Sequence, residues 1–261
     1  MTTFNRGYVP ITGAAALAAS LLLGASAFAD DAVLRERIEA RLAKAGFAER
    51  GQVEVAVQDG AAVLSGFTLT VNDQRAAEKA ARKETKTVEN RLRVLPEGSA
   101  NDLEVRQAVA DAILRDPYYG VFDSVGAGVE EGVVVLQGSV NQPWRKDDLD
   151  RRVARVPGVR EIRNEIRVQP TSFHDDRLRV ELYRKIYGNG LFERYRSWPD
   201  PPIRIVVENG NVTLTGIVNS RVEQAVLGSI AHGTLSFKVD NQVQVESDIR
   251  KEPAPKTTSQ G

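Results

Sequence analysis

The stretches "EGVVVLQG" (131–138) and "RNEIRV" (163–168) decide the fold, because the chain repeats both. "DGAAVLSG" (59–66) precedes "ENRLRV" (89–94), and "NGNVTLTG" (209–216) precedes "DNQVQV" (240–245). Each copy opens on a turn glycine, carries a second glycine six positions on, and closes on an asparagine. These are Gly60, Gly66 and Asn90, then Gly132, Gly138 and Asn164, then Gly210, Gly216 and Asn241. A pattern held three times marks a repeat architecture and outranks any single local signal.

Working outward, period-two runs flank each turn glycine. Val53, Val55 and Val57 lead to Asp59-Gly60, with Ala62 and Leu64 beyond. Val125, Ala127 and Val129 lead to Glu131-Gly132, with Val134 and Leu136 beyond; Ile203, Ile205 and Val207 lead to Asn209-Gly210, with Val212 and Leu214 beyond. Two alternating runs about such a dipeptide make a β-hairpin. Before each hairpin, apolar residues recur every four positions: Leu34/Ile38/Leu42, Val105/Val109/Ile113 and Leu178/Leu182/Ile186. That spacing paints one stripe of a helix, and Asp30-Asp31, Asp102 and Asp175-Asp176 lead into it where the helix dipole favours acids. A second helix is expected after each hairpin, capped near Asn72-Asp73, Asn141-Gln142-Pro143 and Asn219-Ser220. The closing strand places Leu92/Val94, Ile166/Val168 and Val243/Val245 two and four positions after its asparagine. The fold class is therefore α+β: three tandem αββαβ units, each with two helices on one face of a three-stranded mixed sheet, the third strand reached by a right-handed crossover. Units of this size sit near the lower limit for an independent core, so neighbours are expected to pack.

The expected boundaries are 30–96, 101–170 and 174–247, with a tail at 248–261 whose Pro/Thr/Ser composition (KEPAPKTTSQG) predicts disorder. The linkers are Pro96-Glu97-Gly98-Ser99 and Pro170-Thr171-Ser172. Residues 1–29 read as a signal peptide: Arg6, an apolar run from Ile11 to Ala25, then Ala27-Phe28-Ala29, with cleavage expected after Ala29. No later stretch approaches the ~20 apolar residues of a spanning helix. The chain has no cysteine, which excludes disulfides, thiolate chemistry and lipidation of a processed N-terminal cysteine. Its 35 basic and 35 acidic residues balance, so no global field gathers nucleic acid.

Catalytic constellations are missing. His174 and His232 have neither metal-ligand spacing nor thiol partners and read as ordinary exposed histidines, so no metal and no cofactor is expected. Gly126 and Gly128 form too short a G-A-G for a phosphate loop. The acidic runs Glu130-Glu131 and Asp147-Asp148-Asp150, interleaved with Arg145, Lys146, Arg151 and Arg152, read as solvated, mutually paired faces. Two surfaces stand out. Arg75, Lys79, Arg82 and Lys86 would share an arc of about 60° on the crossover helix of the first unit, opposite Ala77, Ala80 and Ala81. Aromatics cluster before the later hairpins: Tyr118, Tyr119 and Phe122, then Tyr187, Phe192, Tyr195 and Trp198, beside Arg194 and Arg196. Such a mixture suits a bilayer interface or a small local core. Trp144, next to Pro143, is expected to pack at a helix start.

The pattern resembles the BON domain, on "VVLQG" and "VTLTG" as V-x-L-x-G, on Val156-Pro157-Gly158-Val159, and on the run Val88-x-Asn90-x-x-x-Val94 with its counterparts. The third unit looks like a variant with a long aromatic insert. The first departs: it lacks the P-G-V turn, and its span from Asn72 to Asn90 is shorter than those from Asn141 to Asn164 and Asn219 to Asn241, so a helix turn is expected to be missing. The resemblance implies a periplasmic, non-enzymatic protein that binds phospholipid membranes or envelope proteins, in osmotic or envelope stress. The membrane-binding residues expected are Arg75, Lys79, Arg82, Lys86, Tyr195 and Trp198, with anionic phospholipid as partner. A protein-binding adaptor or chaperone-like factor for exported clients is the alternative.

Overall fold

The computed structural model describes residues 15–95, 101–198 and 200–249. The basic start of the expected signal peptide, the linker 96–99 and the tail 250–261 lie outside the described residues. The chain forms two compact bodies, Met1–Glu97 and Gly98–Gly261.

The first body holds one repeat. Helix α1 (Ala15–Lys44) runs through the expected cleavage point, and its Asp30–Lys44 part supplies the first helix of the repeat. Strands β1 (Gly51–Gln58) and β2 (Ala61–Thr68) pair antiparallel, with Val55 opposite Leu64. Helix α2 (Val71–Ala81) crosses over to β3 (Val88–Asn90) and β4 (Arg93–Val94), both parallel to β2. The expected third strand is thus one strand broken after its asparagine. Ile38, Leu42, Phe47, Ala62, Leu64, Ala77, Ala81 and Leu92 form the core between helices and sheet.

The second body repeats this plan twice. Its first copy is α3 (Asp102–Leu114), β5 (Ser124–Glu130), β6 (Val133–Val140), α4 (Pro143–Val153), β7 (Glu161–Asn164) and β8 (Arg167–Val168). Its second is α5 (Phe173–Tyr187), a short α6 (Glu193–Arg196), β9 (Ile203–Glu208), β10 (Asn211–Val218), α7 (Arg221–His232), β11 (Lys238–Asn241) and β12 (Gln244–Val245). One helical turn, α8 (Glu246–Ile249), extends past the boundary expected at 247. In all three sheets the second strand is central. Leu64, Leu136 and Leu214 on those central strands are fully buried. Among the described residues no helix is long and apolar enough to cross a membrane.

Three side-chain devices recur, and each explains a residue that defines the repeat. The hairpin turns have positive φ at both central residues, Asp59-Gly60, Glu131-Gly132 and Asn209-Gly210, the geometry of type I′ turns. Each turn is clamped by an aspartate of the preceding helix, in the first turn of α3 and α5 and midway along α1. Asp31 accepts the amides of Asp59 and Gly60, Asp102 those of Glu131 and Gly132, and Asp175 those of Asn209 and Gly210, all at 2.7–3.0 Å. The acids therefore do more than complement a dipole; they tie the helix to the hairpin through charge-assisted bonds worth about 1.5–3 kcal/mol each. The closing asparagines accept the amide two residues on (Leu92, Ile166 and Val243), which turns the strand aside at its break.

Two expectations are corrected here. The cap of α2 is Thr70, not Asn72: its hydroxyl accepts the Asp73 amide at 3.1 Å, as Ser220 accepts that of Glu223. No helix turn is missing from the first repeat, since α2 and α4 each have 11 residues. Most of the apparent deficit disappears when the span starts at the actual caps, Thr70, Gln142 and Ser220, and the rest lies in the turn after the helix. The helix also stops at Ala81, so Arg82 is its C-cap and Lys86 lies beyond it. The turn there lets the Ala62 amide donate to the Thr87 carbonyl at the start of the parallel pairing, and the Thr85 hydroxyl donates to the Gly60 carbonyl.

Candidate functional site

The segment between the first helix and the hairpin differs most among repeats, and the structure gives it one job. The third residue of each crossover helix is a buried charge: Asp73, Arg145 and Glu223. A buried charge must be paired, and the variable segment brings the partner. In repeat one Arg50 lies 3.6 Å from Asp73. In repeat three Arg194 pairs with Glu223, and the Tyr195 hydroxyl donates to Glu223 at 2.9 Å. Repeat two reverses the sign. Arg145 donates to Asp116 at 3.1 Å and lies 3.0 Å from Asp123, with Arg152 at 3.4 Å from Asp116. Asp123 also accepts the amides of Gly120 and Asn141. Arg145 is thus buried among acids and is not part of the solvated face expected for it.

This accounts for most of the aromatic insert. Tyr187, Phe192 and Tyr195 are buried in the core of repeat three. Burial pushes the Tyr187 phenol above its ordinary range while its hydroxyl donates to the Ile203 carbonyl at 2.6 Å. Desolvation likewise raises the Tyr195 phenol. Tyr195 is therefore corrected from a surface residue to a core one. Trp198 stays half-exposed, edge-on to Tyr195 at 5.5 Å. Trp144 is half-exposed as well, edge-on to Tyr118 at 5.5 Å.

Repeats two and three are fused. Arg179 of α5, 3% exposed, donates to Gln169 at 3.2 Å and to the Val207 carbonyl at 2.6 Å, and Gln169 donates to the Phe122 carbonyl. The amide of Ile205 on β9 donates to the Val121 carbonyl at 2.7 Å. Arg204 bonds the Gly120 carbonyl and lies over the Tyr119 ring at 4.6 Å. Pro170-Thr171-Ser172 is consequently a junction rather than a loose linker.

The expected basic ridge survives in part. Arg75, Lys79, Arg82 and Lys86 are all exposed. Arg82, however, is held by Glu78 at 2.7 Å, and that carboxyl, bonded first by Asn90 and then by Arg82, stays below the ordinary carboxylate range. With Lys86 beyond the helix, the four do not form one straight row. Behind them Glu84 is gripped by Arg37 and Arg41 of α1 and is likewise held low.

A stronger surface lies in repeat three, and the sequence reading missed it. Phe173, Leu235 and Phe237 are 92%, 82% and 80% exposed. Phe237 stacks on His174 at 5.8 Å, which joins the start of α5 to the α7–β11 corner. His174 is half-buried there, not the exposed histidine expected. From Phe173 the outer face of α5 continues through Val180 as an open groove with an apolar floor and a mixed rim, Arg177, Arg184 and Lys185 beside Asp176 and Glu181, with Lys185 paired to Glu181 at 2.6 Å. Three large apolar side chains with most of their surface in water, beside exposed Arg177 and Lys238, are costly unless something covers them. Among the described residues no acidic or histidine group is arranged to hold a metal ion.

The family model for the BON domain matches residues 30–96, 101–170 and 189–247. The third match omits α5, which occupies the same place in its repeat as α1 and α3 do in theirs. No curated protein matches the chain. Among solved structures, the C-terminal domain of CdsD, a structural protein of the type III secretion system of Chlamydia trachomatis, is 15% identical, covering 80% of this chain and 96% of its own, with a TM-score of 0.25. A periplasmic fragment of the inner-membrane protein PrgH from S. typhimurium is 16% identical, covering 78% and 98%, with a TM-score of 0.21. Scores that low carry no argument about this chain.

Proposed function

This chain belongs to the BON domain family, and on that premise we propose that it is a non-enzymatic periplasmic protein that binds anionic phospholipid of the cell envelope. The observation that carries the reading is the exposed trio Phe173, Leu235 and Phe237, with Arg177 and Lys238 exposed beside it. Aromatic and aliphatic tips insert at the headgroup boundary, while nearby cations meet anionic headgroups at about 1 kcal/mol each. The exposed Arg75, Lys79 and Lys86, and the half-exposed Trp198, offer further contacts of the same kind. Export is supported by the signal-like N-terminus, and the family resemblance supplies osmotic or envelope stress as the setting.

Vesicle flotation tests this. The exported protein should float with anionic vesicles at low salt, less at high salt, and not with neutral vesicles. Phe173→Ser with Leu235→Ser should abolish flotation while leaving the fold intact, because both side chains already face water. Equal flotation of the variant and the parent would move the contact elsewhere, and no flotation of the parent would end the membrane reading.

A further inference from the structure

The outer edges of the three hairpins are the same element with different fates. In each hairpin the residue just before the turn pairs with the residue just after it, and alternate positions from there point their backbone groups away from the sheet. Consistently, Leu69 donates to the Arg50 carbonyl in repeat one, which leaves Val53, Val55 and Val57 facing outward. The counterparts in repeat three are Ile203, Ile205 and Val207, and all are engaged: by Tyr187, by Val121 and by Arg179. In repeat two, Tyr119 accepts from the Val125 amide at 2.9 Å and covers the first of the three positions. In repeat one nothing among the described residues bonds the outward groups of Val53, Val55 or Val57. Nor does β1 carry the lysine, proline or bulge that blunts natural edges.

We infer that the β1 edge is a homodimer interface, taking β1 of a second copy antiparallel about a two-fold axis at Val55. That register sets Val55 against Val55 and Val53 against Val57, so every outward amide and carbonyl at the three valines finds its complement. Charge selects it over its neighbours. With the axis at Val55, Glu54 faces Ala56 of the second copy; with the axis at Glu54, the two carboxylates would face each other, which is destabilising. Joining β1 to β1 extends two three-stranded sheets into one continuous sheet through an isologous contact. In repeat three the corresponding edge already makes a backbone bond outside its own sheet, from the Ile205 amide to the Val121 carbonyl.

Sedimentation of the exported protein over a concentration series tests the inference. The parent should show a reversible monomer–dimer equilibrium. Ala56→Glu places two like-charged pairs across the axis and should weaken the dimer by about tenfold. Ala56→Lys should tighten it, and Glu54→Lys added to Ala56→Glu should restore it. Both positions, Glu54 and Ala56, face water on the open side of the sheet, so the monomer fold is not at stake. A parent that stays monomeric at every concentration, or a dimer indifferent to Ala56→Glu, overturns the inference. Vesicle flotation should be unchanged in these variants, which keeps the two proposals separable.

Discussion

Arg145→Met is expected to destabilise the Gly98–Gly261 body by about 3–5 kcal/mol, the cost of leaving buried carboxylates without their cation. Arg145 is 2% exposed, and its guanidinium is the shared partner of Asp116 and Asp123, themselves 2% and 3% exposed. Of these two carboxylates Arg152 reaches only Asp116; it is also held by Asp148 at 2.9 Å and is partly in water, so it does not substitute. Asp123 would keep its two backbone amides, which limits the loss to the charge imbalance. Adding Asp116→Asn to Arg145→Met should recover a measurable part of the stability, because it removes the carboxylate with the fewest backbone donors. Urea unfolding of the three proteins checks both statements. A loss under about 1 kcal/mol for Arg145→Met would show that the pair is open to water.

The second large effect concerns the second glycine of each repeat, which ends Ala62-x-Leu64-x-Gly66 in the first and V-x-L-x-G in the other two. Gly66, Gly138 and Gly216 have φ of +103°, +117° and +117°, a region that side chains avoid. Each also lies against a carbonyl of the preceding strand or its approach: Gln52, Ser124 and Pro202. A Cβ at Gly216 would overlap the Pro202 oxygen, and that backbone is fixed by β9 pairing and by the junction with repeat two. Gly216→Ala should therefore cost about 3 kcal/mol or more, strain and steric overlap adding together. Gly126→Ala offers the contrast. It sits mid-strand with ordinary φ and nothing within 4 Å of an added Cβ, so the change should be neutral or stabilise by about 0.5 kcal/mol. Thermal melts of both variants measure the difference directly.

Much of this was legible in the residues, and particular ones show why. The central leucines Leu64, Leu136 and Leu214 were readable because alternation about a turn dipeptide leaves one register in which a sheet can bury a face. Helix stripes such as Leu178/Leu182/Ile186 were readable for the matching reason at period four. Charges were not. Arg145 and its partner Asp116 lie 29 positions apart, and a buried arginine has the same letter as a solvated one. The only sequence trace is comparative: the third residue of the crossover helix is acidic in repeats one and three and basic in repeat two, and its partners change sign with it, Arg50 and Arg194 against Asp116 and Asp123.

Local competition hid other features. In Thr70-Val71-Asn72-Asp73 either Thr70 or Asn72 could cap; the threonine wins because Asp73 falls three positions after it, so the Thr70 hydroxyl accepts the Asp73 amide at 3.1 Å and donates to the Asp73 carboxylate at 2.6 Å. The aromatic insert was ambiguous for a physical reason, since a tyrosine serves a core or an interface equally well. Tyr195 goes inside because its hydroxyl has Glu223 to meet, and Trp198 stays outside because no buried partner is on offer. The exposed trio could not be found from spacing, since Phe173 is separated from Leu235 and Phe237 by the whole hairpin and crossover. A hint did exist: Leu235-Ser236-Phe237 fills the corner where repeat two has Val156-Pro157-Gly158-Val159, whose valines are buried.

The proposed membrane contact has a definite location, and hydrogen exchange on the full chain, with and without anionic vesicles, measures it. The account expects slowed exchange at the start of α5 and at the 233–237 corner, with the cores of all three repeats unaffected. Protection absent from both segments, or confined to the α2 region of the first repeat, would contradict it.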